Sequence, residues 1–172
     1  VINDIELYNC TVENISTTEQ TVSNYGSSKA KGIAANGIVE ELTIRQNTIT
    51  GIGSSDTDKP RAITLTEDGS QSGKPGVRDF VVVRNQIDTP TGQTDNPAIF
   101  VGGIGDTLDS RINGNNILGP VDYLASPTPI DVTENWWGQS GGPNSTIQPG
   151  TASTGVLVDR GSGVYDASAP LG

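Results

Sequence analysis

Five nine-residue segments recur along this chain without gaps, and they constrain its fold more than any other feature. They are Asp4-Ile-Glu-Leu-Tyr-Asn-Cys-Thr-Val12, Glu41-Leu-Thr-Ile-Arg-Gln-Asn-Thr-Ile49, Asp79-Phe-Val-Val-Val-Arg-Asn-Gln-Ile87, Asp109-Ser-Arg-Ile-Asn-Gly-Asn-Asn-Ile117 and Pro129-Ile-Asp-Val-Thr-Glu-Asn-Trp-Trp137. The shared pattern is acid, apolar, any, apolar, any, any, Asn, any, apolar. Leu42 and Ile44 alternate with Thr43, so they face one side of a strand. Two residues later the alternation breaks at Asn47 and resumes at Ile49, which predicts a corner between two strands. Asn tolerates left-handed backbone angles and bonds local backbone, so it suits a corner.

If the repeats stack, Asn47, Asn85, Asn115 and Asn135 lie above one another, and their amides form a hydrogen-bonded ladder. Cys10 holds that column in the first repeat and reads as a small buried structural thiol. The corner positions 10, 47, 85, 115 and 135 are separated by 37, 38, 30 and 20 residues. Strands therefore keep register while the loops between them vary. A second apolar strand recurs before the motif, as Ile33 with Ala35, Ile63 with Leu65 and Ile99 with Val101. Three short strands per repeat is the minimum recipe for a triangular parallel β-solenoid, with prolines at loops and strand entries.

Composition agrees with many tight turns and little helix: 22 Gly, 13 Asn, 19 Thr and 15 Ser among 172 residues. It also excludes chemistry. With no His, neither a Ser-His-Asp triad nor an imidazole zinc site can form. One Cys builds no disulfide framework. A net charge of -10 disfavours nucleic acid. No apolar run reaches the roughly 20 residues of a membrane span, so no membrane insertion is expected within this segment. The acids lean to Asp (13 against 7 Glu) and the bases to Arg (6 against 4 Lys), a balance that suits a halophilic setting in which salt screens self-repulsion, or an ordinary acidic secreted protein. The chain opens at Val1 without Met, in sequence that already carries the repeat, which reads as the C-terminal part of a longer solenoid.

The repeat resembles that of the right-handed parallel β-helices of the pectin-lyase-like superfamily. The end of the chain strengthens the likeness: Asn135-Trp136-Trp137-Gly138, then Gly141-Gly142-Pro143, then Gly163-Val164-Tyr165 is similar to the closing segment of bacterial and archaeal surface β-helix proteins. Gly141 stands where an acid or Ser is usual. The resemblance spans about residues 1 to 165. It implies an all-β, right-handed parallel β-helix of about five coils over 1–138, with a Gly/Pro-rich closing segment, 139–172, packed on the last coil. The fold hosts lyases, hydrolases, epimerases, adhesins and tailspikes, so it does not assign function. Trp137 falls in the inward column of Ile49, Ile87 and Ile117 and reads as a plug for the core, while Trp136 points the other way and is a weak candidate for sugar stacking.

Two groups of residues could carry chemistry. Stacking would bring Asp4, Glu41, Asp79 and Asp109 within about 5 Å of their neighbours, a candidate calcium site. The plainer reading is four acids that begin strands and cap local backbone. The loops Asp56-Thr-Asp58 and Glu67-Asp68-Gly69 lack calcium-loop spacing and read as solvated turns. In the outward column Glu6, Thr43, Val81, Arg111 and Asp131, only Arg111 with Asp131 and Asp109 has acid–base character, and a surface ion pair is the commoner use of such a grouping. Three N-glycosylation sequons occur, at Asn9, Asn14 and Asn144. Asn144, in a Gly-Pro loop, is the best candidate of the three, because the Asn9 sequon contains Cys10 of the inward column.

The expected function is non-catalytic: an extracellular cell-surface or virion domain acting as rigid scaffold and recognition surface, with a glycan or a surface protein as partner. Its variable loops, 20–33, 52–60, 66–77 and 89–96, are where a partner would bind. The alternatives are a polysaccharide lyase or glycosidase of the same fold, and an oligomeric subunit of a filament or tailspike. No cofactor beyond calcium enters any of these readings.

Overall fold

The computed structural model describes residues 2–17, 30–54, 60–66, 76–88, 90–91, 97–102, 110–119, 121–124, 130–137, 157–159 and 165–166. All regular structure among them is β, and no helix occurs there. The first pass of the chain forms β1 (Ile2–Tyr8), β2 (Thr11–Glu13), β3 (Ser16–Thr17) and β4 (Lys31–Asn36). The second forms β5 (Val39–Arg45), β6 (Thr48–Thr50), β7 (Gly53–Ser54) and β8 (Arg61–Thr66). Then come β9 (Val77–Arg78), β10 (Val81–Val83), β11 (Gln86–Asp88) and β12 (Ile99–Gly102). They are followed by β13 (Arg111–Asn113), β14 (Asn116–Leu118), β15 (Val121–Leu124), β16 (Ile130–Asp131), β17 (Leu157–Asp159) and β18 (Tyr165–Asp166).

Successive passes add one strand each to the same parallel sheets. Sheet A has the order β1-β5-β10-β13-β16-β18, with β9 also on β5. Sheet B joins β2, β6, β11 and β14, and sheet D joins β4, β8, β12, β15 and β17. A short sheet C pairs β3 with β7 and extends by a bridge from Gly53 to Thr91, a strand position beyond the three the repeat predicts. The chain visits these sheets in the same cyclic order on every pass. Stacked parallel sheets visited cyclically are compatible with a β-solenoid. The late strands β17 and β18 continue sheets D and A by pairing with β15 and β16.

Register follows the apolar columns. Ile5 pairs with Leu42, and Leu7 with Ile44, which pairs with Val82 and through it with Ile112. Val12, Ile49, Ile87 and Ile117 form the column of sheet B. Ile33, Ile63, Ile99 and Val121 form that of sheet D. These positions meet in one core, in which Ile44, Ile49, Leu65, Val82, Ile87, Ile112 and Ile117 are fully buried. Space there is tight beside sheet D: a Cβ on Gly32 would come within 2.7 Å of the Ala62 carbonyl oxygen and 2.9 Å of Ile49 Cγ2.

The corners carry left-handed backbone, but not where the Asn column predicts it. The positive φ falls on the residue before that column: Asn9, Gln46, Arg84, Gly114 and Glu134, at 53°, 55°, 55°, 64° and 58°. A non-Gly residue there costs on the order of 1–2 kcal/mol. Cross-pass hydrogen bonds offset part of that cost: the corner N–H of Asn9 donates to the Arg45 carbonyl, Gln46 to Val83 and Gly114 to Glu134. The neighbouring Asn is recruited for its amide instead of its backbone.

Candidate functional site

Asn47, Asn85, Asn115 and Asn135 are all buried, and their amides are joined in one line. Asn47 Nδ2 donates to Asn85 Oδ1 at 3.0 Å, Asn85 Nδ2 to Asn115 Oδ1 at 2.9 Å and Asn115 Nδ2 to Asn135 Oδ1 at 3.0 Å. Each Oδ1 also accepts the backbone N–H of the preceding corner, from Cys10, Asn47, Asn85 and Asn115 in turn. Each Nδ2 reaches a strand carbonyl of the pass before, at Leu7, Ile44, Val82 and Ile112. The corner interrupts strand pairing, and the amide refills the vacated donors and acceptors. A buried polar group so satisfied avoids the desolvation penalty of an orphan.

Cys10 corrects the expectation of a buried thiol: it is exposed. Its backbone N–H enters the ladder through Asn47, while its Sγ reaches only the Tyr8 carbonyl at 3.4 Å. The physical reason is its place in the stack. β1 and β2 end their sheets, so among the described residues no strand covers the outer side of that corner.

The acidic column lies at a second left-handed corner. Asp4, Glu41 and Asp79 have φ of 56°, 55° and 52°, and the first two sit opposite each other as matching left-handed bends within β1 and β5, between the paired positions Asn3–Glu40 and Ile5–Leu42. Asp4 and Glu41 are exposed and Asp79 half-buried. Their shared feature is thus the backbone bend at the strand entry. No group of three His, Cys, Asp or Glu side chains is close enough to hold a metal ion among the described residues. Asp109, the fourth member, lies outside the described residues, as do Asn144 and the loops at Asp56 and Glu67.

The outward column of sheet A has the expected register. Glu6 pairs with Thr43, Thr43 with Val81, Val81 with Arg111 and Arg111 with Asp131. Arg111 is exposed and makes no ion pair among the described residues. Asp131 is committed to its own turn: Oδ1 accepts the Thr133 N–H at 2.9 Å and hydroxyl at 2.7 Å, and Oδ2 accepts from Asn113 Nδ2 at 3.3 Å. Partial burial raises its pKa, but the Thr133 and Asn113 bonds and the Arg111 charge outweigh that and hold it below the usual value. A carboxylate held ionised by a local turn is a poor proton donor.

Other groupings escape a column-by-column reading of the sequence. Arg45 is paired with Glu6 and lies 3.9 Å over the Tyr8 ring. Arg78 is paired with Glu40 directly opposite on sheet A. On sheet D the Arg61 guanidinium lies 3.4 Å over the centroid of Phe100, a ring that faces outward yet is 7% exposed. The first two pairs are implicit in the alignment of Tyr8 with Arg45 and of Glu40 with Arg78. The Arg61–Phe100 stack crosses columns, and no spacing in the sequence signals it. Trp137 is fully buried at the end of the Ile49–Ile87–Ile117 column, with no partner for Nε1 among the described residues. Trp136 bridges Asn116 through its backbone and is half-exposed.

Comparison with protein families, with curated proteins and with solved structures finds no match to this chain.

Proposed function

We propose that this chain is a right-handed parallel β-helix of the pectin-lyase-like kind, of about five coils closed beyond Trp137, and that it serves as a non-catalytic scaffold and recognition surface. The setting is extracellular, on a cell or virion, with a glycan or a surface protein as partner. One observation carries this reading: Arg111 and Asp131, neighbours in the outward column of sheet A, form no reactive pair, because Asp131 is tied to Thr133 and Asn113. Retained ladders and varied connecting loops suit a rigid spacer that displays a surface. A glycan array probed with the intact protein tests it. Saturable binding to one glycan class, with no shortening of that polysaccharide on long incubation, is the expected result.

The register of Arg111 beside Asp131 favours a second reading, a polysaccharide lyase or glycosidase. Depolymerisation of acidic or neutral polysaccharide, abolished in Arg111→Ala, would establish it and overturn the first. A third reading, an oligomeric subunit of a filament or tailspike, predicts a defined assembly by light scattering at high protein concentration.

A further inference from the structure

We infer that Asn113 is a conformation-gated deamidation site: its amide is protected while β13 and β16 are stacked, converts when they part, and then opposes their return. The chain has two Asn-Gly pairs, Asn36-Gly37 and Asn113-Gly114. Such pairs deamidate faster than other Asn dipeptides, because Gly has no side chain to hinder attack by its own backbone nitrogen. The corner after β13 needs left-handed backbone at residue 114, where φ is 64°, and Gly adopts it without strain. The reactive pair is therefore placed by the same kind of corner that carries the amide ladder.

The peptide unit between Asn113 and Gly114 is clamped on both sides. Its carbonyl, that of Asn113, accepts from Asn115 Nδ2 at 3.1 Å, and its N–H, that of Gly114, donates to the Glu134 carbonyl at 3.0 Å. The Asn113 side chain is engaged elsewhere, with Nδ2 donating to Asp131 Oδ2 at 3.3 Å. Nucleophile and target are thus bonded to different groups, and both bonds must break before the two meet. Glu134 and Asp131 belong to the same next pass, so one opening releases both. Such local openings cost less than global unfolding.

Once released, Gly114 N gives its proton to hydroxide and attacks Asn113 Cγ. The N–Cγ bond forms, the Cγ–Nδ2 bond breaks, and Nδ2 leaves as ammonia with a proton from water. Water then opens the succinimide at either carbonyl, giving aspartate or isoaspartate, and nothing is oxidised or reduced. Either product sets a carboxylate where a donor faced Asp131, and like charges so close repel. Isoaspartate also adds a carbon to the main chain, which moves Asn115 and Ile117 off their columns. A parting of β13 and β16 that lasts long enough thus becomes one-way. Asn36 serves as an internal reference. Its Oδ1 accepts the Thr66 hydroxyl at 2.6 Å and Gly37 N–H donates to the Thr66 carbonyl at 3.1 Å, so conversion there would set a carboxylate beside a hydroxyl.

The test incubates the intact chain at mildly alkaline pH with and without urea, and sequences its peptides by mass spectrometry. In urea Asn36 and Asn113 should convert at similar rates, whereas without urea Asn113 should convert at least about tenfold more slowly than in urea. Equal rates at Asn113 in the two conditions would overturn the gating. Gly114→Gln places at this corner the residue type that Gln46 supplies at the equivalent one. It should abolish conversion of Asn113 in urea and leave Asn36 as before; continued conversion would overturn the mechanism. Asn113→Asp fixes the product. In that background Asp131→Asn should lower the urea midpoint less than it does in the native chain, and an equal loss would overturn the opposition to restacking. Refolding decides the same point if Asn113→Asp does not fold. After long exposure to urea the native chain should refold in lower yield than Gly114→Gln held equally long, and equal yields would overturn the one-way step.

Discussion

The first pass and the passes stacked on it are built from the same kinds of residue, and they differ in burial. Ile5, Leu7, Val12 and Ile15 are only partly buried, whereas their counterparts Leu42, Ile44, Ile49 and Ile52 are 0–2% exposed. The polar column repeats the contrast, with Cys10 exposed and Asn47, Asn85, Asn115 and Asn135 buried. Side-chain type is held nearly constant along each column, so the difference comes from neighbours. Among the described residues an inner pass is covered from both sides and the first from one. A single pass cannot enclose its own apolar face, and stacking supplies most of the burial.

The sharpest way to break this contrast is a matched pair of truncations in the core. Ile87→Ala should cost about 2–5 kcal/mol, and Leu7→Ala at the half-covered end should cost less than half as much. Denaturant unfolding measures both; equal losses would mean that the first pass is covered in solution. Next is the ladder. Asn85→Ala strips the acceptor from Asn47 N–H and Nδ2 and should cost about 1–3 kcal/mol for the groups left unpaired. Cys10→Ala, at the open end of the same column, should stay within about 0.5 kcal/mol of the native protein.

A smaller effect is expected at Asp131. Its pKa is lower folded than unfolded, so its contribution is present above the ordinary Asp range and is lost as pH falls through the depressed value. Asp131→Asn should therefore lose stability at neutral pH and approach the native protein as the pH falls below the depressed value, as read by urea unfolding at each pH. A variant whose deficit persists at low pH would show that the carboxylate charge is not what matters. The smallest expected effect is that of a chelator. Asp4, Glu41 and Asp79 act through their backbone bends, so removal of divalent cations should leave the melting temperature unchanged, while a downward shift would restore the acidic column as a calcium site.

Much of the strand arrangement was legible because the repeat is gapless across the corner. Aligning Leu42 with Ile5, Ile49 with Ile87, and Asn47 with Asn85 sets the register of sheets A and B before any coordinate is known. Ile33, Ile63 and Ile99 do the same for sheet D. The short sheet C left no signal, because Ser16, Thr17, Gly53 and Ser54 have no apolar alternation. Left-handed φ at Gln46, Arg84 and Glu134 was equally hidden, since none of these residues favours it. Their conformation is imposed by the corner between two registered strands. The outward column was read correctly as a register, but the bonds of Asp131 to Thr133 and Asn113 depend on a turn that a column alignment does not describe.

By itself the sequence determined which residues share a column, because strand periodicity and the corner break are local properties that repeat. It also determined what this chain cannot use, having no His and one Cys. Only the tertiary structure decided how a column's members differ in environment. Cys10 and Asn47 occupy the same position in the repeat, yet one is exposed and the other buried, because burial depends on what is stacked above and below.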